Sequence, residues 1–240
     1  MDSAGPVKGW LVTAALAALV SGAAFRAAVL TGLAHYRMAG TILLVLSTWA
    51  LASAAEAHQI ARGVEWLESR LASVGGQAAV LQLPPGWARR YRWVRGYLLV
   101  GPGGIMVAAA LGVSNFARRA GALRRMDRAA ASLKEAVRRL KALAAPVAGA
   151  EQAQGEGCAG EASAAVSSVA GYGLIVLLRR RVNPVERHRM RLLGVGVANV
   201  EHIPEVLRTV LDPPDGHIRR LSEADWRAVA EALSVRAGAP

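Results

Sequence analysis

Two apolar runs lie almost back to back near the amino terminus, and they limit what this chain can fold into more than any other feature. From Trp10 to Leu33 the only formal charge is Arg26, and the 18 residues from Met38 to Ala55 carry none. Each run is close to the roughly 20 residues a helix needs to cross a bilayer. His35, Tyr36 and Arg37 lie between them, a connector short enough for a helical hairpin. Ala14, Ala15, Ala18, Ser21 and Gly22 on one side, with Ser47, Ala50, Ser53 and Ala54 on the other, are small enough to let two helices approach closely. A cleaved signal sequence fits less well, because Lys8 is the only basic residue ahead of the run and a second apolar run follows at once. The competing reading is a pair of Ala-rich helices buried in a soluble core. A spanning hairpin returns the chain to the side it started from, and the arginines that follow assign that side to the cytoplasmic face of the cell membrane. Arg26 and Arg37 pull the other way.

The remaining chain has the material for a packed domain. Of 240 residues, 53% are hydrophobic, which excludes overall disorder. Cys158 is the only cysteine, so an internal disulfide and a cysteine-based zinc site are excluded, and a reducing compartment is the simpler expectation. Arginine outnumbers lysine 26 to 3, so arginine content alone is a weak signal and its distribution matters more. Residues 86–150 hold 13 basic against 2 acidic residues, whereas 1–85 hold 5 against 4 and 151–240 hold 11 against 11. A net +11 confined to one central stretch predicts a local basic surface.

Periodicity predicts a membrane hairpin over 1–57 and a mixed α/β domain over 58–240. Ala57–Ser73 reads as an amphipathic helix through Ile60, Val64, Leu67 and Leu71, closed by Gly75-Gly76. Ala78–Leu83 reads as a short strand and Pro84-Pro85-Gly86 as a turn. Trp93–Val100 and Ile105–Leu111 flank Gly101-Pro102-Gly103-Gly104 as a β-hairpin. Leu123–Ala145 is predicted to be the longest soluble helix, with Met126, Ala130, Leu133, Val137 and Leu140 as its apolar stripe. Residues 148–165 read as a flexible insertion that holds Cys158, an incidental thiol with no paired base. Tyr172–Leu178 and Leu192–Val200 read as strands joined by a charged connector, and Ile203–Leu211 and Glu223–Leu233 as closing helices, the second capped by Ser222.

The hairpin Gly96-Tyr97-Leu98-Leu99-Val100-Gly101-Pro102-Gly103-Gly104-Ile105-Met106-Val107 resembles the core of the nuclease-related domain (NERD) family. That family has an apolar strand beginning with Asp, a Gly-Pro-x-Gly turn and a second strand ending in Glu-x-Lys. The order of an early helix with Glu, a short strand ending at Leu-Pro, the hairpin, a long helix and two more strands is similar too, over roughly Gly63–Leu211. The resemblance implies a restriction-endonuclease-like mixed sheet with flanking helices. There the Asp and Glu would hold a divalent metal and the Lys would support the attacking water. This sequence has Gly96, Ala109 and Leu111 at those three positions, and no Asp or Glu from Ser69 to Met126. Glu65 or Glu68 matches the family's early glutamate, but one carboxylate holds a hard cation poorly. The expectation is a degenerate active site with no catalytic residue, metal or cofactor.

Other motifs give no chemistry. Gly101-Pro102-Gly103-Gly104 lacks the following Lys-Ser or Lys-Thr of a phosphate loop, the five histidines have no metal-ligand spacing, and no Gly-x-Ser-x-Gly occurs. The basic stretch remains. Arg89, Arg90, Arg92 and Arg95 interleave with Trp87, Tyr91 and Trp93, and the long helix adds Arg124, Arg125, Arg128, Lys134, Arg138, Arg139 and Lys141. Such a surface suits nucleic-acid phosphates, anionic lipid headgroups or neither. The expected function is therefore binding of nucleic acid or a protein partner near the membrane. The alternatives are a membrane-tethered metal-dependent nuclease and a scaffold whose basic face packs on lipid.

Overall fold

The computed structural model describes residues 4–74, 76–113, 119–150, 170–179, 181–211 and 220–238. The chain forms two compact units, Met1–Arg62 and Gly63–Pro240. The boundary falls inside a helix, because nothing between Ala34 and Ala72 breaks it. The amphipathic helix expected from Ala57 is the continuation of the second apolar run, since Ser53-Ala54-Ala55-Glu56-Ala57 contains neither Gly nor Pro.

In the first unit α1 (Ala4–Thr31) packs antiparallel to the first part of α2 (Ala34–Ala72). Two buried serines set the register. Ser21 Oγ donates to the Gly40 carbonyl at 2.8 Å, and Ser47 Oγ donates to the Ala14 carbonyl at 3.0 Å. Ala14, Ala28, Ala50 and Ala54 are buried along the same seam, whereas Ala15, Ala18 and Gly22 turn outward. Trp10 and Trp49 meet edge to face at 5.1 Å. This register puts Arg26 and Arg37 within about one helical turn of each other at the closed end, and Lys8 and Glu56 likewise at the open end. The charge-free lengths between them are 17 residues in α1 and 18 in α2, roughly 26 Å of helix each at 1.5 Å per residue. Both helices are long and apolar enough to cross a membrane by length and composition.

The second unit is built on one five-stranded sheet in the order β1 (Ala79–Gln82), β2 (Arg95–Gly101), β3 (Gly104–Leu111), β4 (Gly171–Leu177), β5 (Gly196–Asn199). The first three strands are antiparallel, and β3, β4 and β5 run parallel. Parallel neighbours need crossovers. These are α4 (Arg119–Ala150) between β3 and β4, and α5 (Pro184–Leu192) between β4 and β5. A short helix, α3 (Pro85–Tyr91), joins β1 to β2, and α6 (Ile203–Leu211) and α7 (Glu223–Gly238) close the chain.

Period-two alternation divides the core between the two sheet faces. Leu98, Val100, Ile105, Val107, Ala109, Leu111, Ile175 and Leu177 face a layer made by α4 and α7, with Met190 of α5. Tyr97, Leu99, Met106, Ala108, Ala110, Leu174 and Val176 face Leu67 and Leu71 of α2 and Ile203 and Leu207 of α6. The architecture is thus α/β, with a mixed sheet and helices on both faces. The predicted stripe of α4 holds, with Met126, Ala130, Leu133 and Leu140 buried and Val137 partly so.

Three expectations shift. Pro84-Pro85-Gly86 starts α3 rather than a simple turn, with Pro84 as N-cap and proline at the first helical position. The charged connector holds α5: the Asn183 side chain accepts from Val185 N–H at 3.0 Å, and the buried Glu186 accepts from Asn183 N–H at 3.1 Å, a capping box. The strand expected over Leu192–Val200 shortens to Gly196–Asn199, because Leu192 ends α5. Of the expected insertion, residues 148–150 belong to α4, and 151–165, with Cys158, lie outside the described residues.

Two glycines give opposite expectations. Gly104 has φ +120°, and a Cβ there would collide with the Ala170 carbonyl oxygen, whereas a Cβ at Gly121 in α4 meets nothing within 4 Å. Gly104→Ala is therefore expected to lower stability by at least about 1–3 kcal/mol, and Gly121→Ala to raise it by about 0.5–1 kcal/mol. Urea unfolding of the full chain in detergent, followed by tryptophan fluorescence, checks both signs.

Candidate phosphate-binding site

The positions that the family resemblance assigns to metal chemistry sit together and are filled. Gly96 and Ala109 are direct partners across β2 and β3. Leu111 lies two residues beyond Ala109 on the same sheet face. A Cβ at Gly96 would already meet Leu83 Cδ1 and Trp93 Cε3 at 3.1 Å, and Ala109 is fully buried. An aspartate at 96 and a glutamate at 109 would need space now held by Leu83, Trp93 and α4. Glu68 is engaged elsewhere: its Oε1 accepts a 2.9 Å hydrogen bond from the Tyr97 hydroxyl, and Tyr97 belongs to the opposite face. Among the described residues, no three His, Cys, Asp or Glu side chains come together to hold a metal ion. The residues present do not fit the divalent metal of the family chemistry.

The basic residues separate into distinct places. Arg89 and Arg90 lie exposed in the last turn of α3, with the Arg90 guanidinium 5.9 Å from the centre of the Tyr91 ring. Arg95 shares the strand parity of Tyr97 and so faces the other side of the sheet from α4. On α4, Arg138 and Arg139 both bind Glu135, at 2.9 Å and 2.6 Å. These hydrogen bonds hold the Glu135 carboxyl below its ordinary range, and the same contact raises Arg139, helped by the nearby Tyr91. Arg124 Nε donates to the Ala120 carbonyl at 3.4 Å.

Arg92, Arg125 and Arg128 come together around one pocket of about 370 Å³. It lies where β2 begins and β3 ends, beneath the early turns of α4. Its apolar lining includes Trp93, Leu111, Val113 and Ala129, so the position of the family's lysine is now part of its wall. Arg125 and Arg128 are one helical turn apart and point the same way. Arg92 reaches the pocket from the end of α3, at φ 58° and ψ 36°. It is the only non-glycine residue with positive φ among those described, a conformation that costs roughly 1–2 kcal/mol. Its backbone N–H closes α3 on the Ala88 and Arg89 carbonyls.

An aromatic row stiffens this corner. Trp87, Tyr91 and Trp93 follow one another at 5.9 Å and 5.0 Å between ring centres, and Trp93 Nε1 donates to Ser132 Oγ of α4 at 3.2 Å. Tyr91 also lines the pocket, and its buried hydroxyl has no hydrogen-bond partner among the described residues. Such a group is expensive to leave unpaired. Sequence reasoning found the three arginines but not the pocket or the orphaned hydroxyl, since both depend on β3 ending beside α3.

No protein-family model, curated protein or solved structure matches this chain.

The Tyr97–Glu68 contact gives a pH dependence. Burial first, and the Glu68 hydrogen bond second, push the Tyr97 phenol well above its ordinary value of 10.0. The neutral phenol therefore contributes stability that is full below pH 10 and is lost as pH rises further. From pH 8 to pH 11 the urea midpoint of the full chain is expected to fall more than that of Tyr97→Phe. Parallel decline of the two proteins would show that this phenol does not titrate differently on unfolding.

Proposed function

We propose that this chain is a membrane-anchored, non-catalytic protein of nuclease-related type that binds nucleic acid through the basic surface of α3 and α4. The observation that carries the reading is the grouping of Arg92, Arg125 and Arg128 without an acidic partner among the described residues, beside a would-be metal site closed by Leu83 and Trp93. Arginine is suited to phosphate because its planar guanidinium offers several fixed donors and stays charged. Metal-dependent cleavage needs carboxylates on this face of the sheet, and it has none at the three positions concerned.

The fold assignment draws support from element order. An early helix, a short strand, the β2–β3 hairpin, a long helix and a parallel strand follow one another in the sequence that the family resemblance implies. The anchor draws support from the surface of the first unit. Only 17% and 22% of the two apolar windows are buried, whereas helices from a soluble core would be covered. Leu19, Val29 and Leu30 are 73%, 80% and 76% exposed, which is costly in water and favourable in lipid. The charge-free band of roughly 26 Å is close to the thickness of a bilayer's hydrocarbon core, about 30 Å. Lys8, Arg62 and Arg70 near the open end, against Arg26 and Arg37 at the closed end, support a cytoplasmic side for the larger unit.

The test uses the full chain, extracted from membranes with detergent and returned to nanodiscs of neutral lipid. Fluorescence anisotropy with a labelled duplex and magnesium is expected to show binding that weakens steeply with salt, with a logarithmic slope near −0.9 per phosphate neutralised, while the label stays intact. Cleaved label would contradict the non-catalytic reading. Absence of binding at low salt would contradict the nucleic-acid reading, and recovery of the chain in the soluble fraction without detergent would contradict the anchor.

A further inference from the structure

The charge balance around α4 is uneven in a way that points to a ligand. Residues 86–150 contain two acidic residues, Asp127 and Glu135. Both are engaged by other arginines: Asp127 accepts two 2.8 Å bonds from Arg189 of α5, and Glu135 is held by Arg138 and Arg139. Residues 114–118, which follow the pocket wall, are Ser-Asn-Phe-Ala-Arg and add no acid. Three guanidinium groups thus share one concavity whose described lining holds no carboxylate, while both carboxylates of residues 86–150 are committed elsewhere. Like charges gathered in this way repel unless an anion joins them.

The pocket is also too large and too apolar for a bare anion. Its roughly 370 Å³ is about the space of a dozen waters at about 30 Å³ each, and falls in the range of small-molecule sites, which combine an apolar lining with a few placed polar groups. Trp93, Leu111, Val113 and Ala129 supply the apolar wall, and Tyr91 lines the pocket beside them. The strained backbone of Arg92 brings the third cation to the rim, and such outliers gather where a binding site needs them.

We propose that this pocket binds a phosphomonoester carried on a ring-bearing body, in chemical terms a nucleoside monophosphate unit. Arg92, Arg125 and Arg128 hold the phosphate and the apolar wall takes the organic part. The inference deepens the nucleic-acid reading and rests on it: the cleft that would have cleaved a phosphodiester holds a phosphate end instead. The unit can come from a free nucleotide or from the phosphorylated terminus of a strand, and the two sources are separable.

The experiment is titration calorimetry of the full chain in neutral nanodiscs with adenosine monophosphate, adenosine and inorganic phosphate, alongside anisotropy with one oligonucleotide bearing either a 5′-phosphate or a 5′-hydroxyl. One-to-one binding of adenosine monophosphate is expected, with adenosine and inorganic phosphate each at least tenfold weaker. A 5′-phosphate that strengthens oligonucleotide binding identifies a strand end as the source, and equal binding of both oligonucleotides assigns the site to free nucleotide. Arg125→Gln and Arg128→Gln are each expected to weaken adenosine monophosphate about tenfold, the scale of one hydrogen bond to a charged group. Arg92→Gly is the control for folding, because glycine suits the left-handed backbone: it is expected to keep or raise Tm while losing the ligand. The proposal is overturned if neither adenosine monophosphate nor the phosphorylated oligonucleotide binds saturably, or if the three substitutions leave binding unchanged. Salt-dependent duplex binding that survives such a result leaves the broader function standing. Loss of duplex binding with adenosine monophosphate still bound overturns the function and keeps the pocket.

Discussion

Burial of β3 on both faces is the constraint on which the rest of the larger unit depends. All eight of its residues are buried, because α4 covers one face and the α2 and α6 layer covers the other. A central strand clothed on both sides must be apolar throughout, and Gly104-Ile105-Met106-Val107-Ala108-Ala109-Ala110-Leu111 meets that demand without a polar side chain. The run of three alanines lets the helical layers approach closely. The same requirement acts at Ala109, where a carboxylate would be desolvated against α4 at a cost of several kcal/mol.

What the closed strand leaves behind is its end. Where β3 stops at Leu111, the sheet no longer fills the space beneath α4, and the pocket opens there between Trp93 and the arginines of the helix. The aromatic row running from α3 to Trp93 fixes one wall through the Trp93–Ser132 hydrogen bond, and the Arg189–Asp127 pair ties α5 to α4 on another side. The fold therefore supplies a rim of positive charge at the end of β3, where Arg92, Arg125 and Arg128 line the pocket.

Much of this was legible in the chain. The Gly101–Gly104 turn, the α4 stripe and helix α6 follow from turn chemistry and periodicity, and α6 spans the predicted Ile203–Leu211. The pairing of Glu135 with Arg138 and Arg139 could be read from its spacing of three and four residues. Strand parity alone separates Arg95 from the other arginines. A turn at Pro84-Pro85-Gly86 and a charged connector before Leu192 are the simplest readings of the sequence and hide helices α3 and α5, although proline in the first helical turn is compatible with both. The Asn183-Pro184-Val185-Glu186 run carried its own capping signal. The Arg189–Asp127 contact links residues 62 apart, so no local pattern could reveal it, and it determines which arginines remain available for a ligand.

The most direct test of the account is hydrogen exchange of the full chain in neutral nanodiscs, with and without a saturating duplex at low salt. The account predicts that the duplex slows exchange in residues 87–95 and 120–130, around Arg92, Arg125 and Arg128, and leaves 196–211 on the other side of the sheet unchanged. Protection confined to 196–211, or no change at 87–95 and 120–130 under saturating duplex, would contradict it.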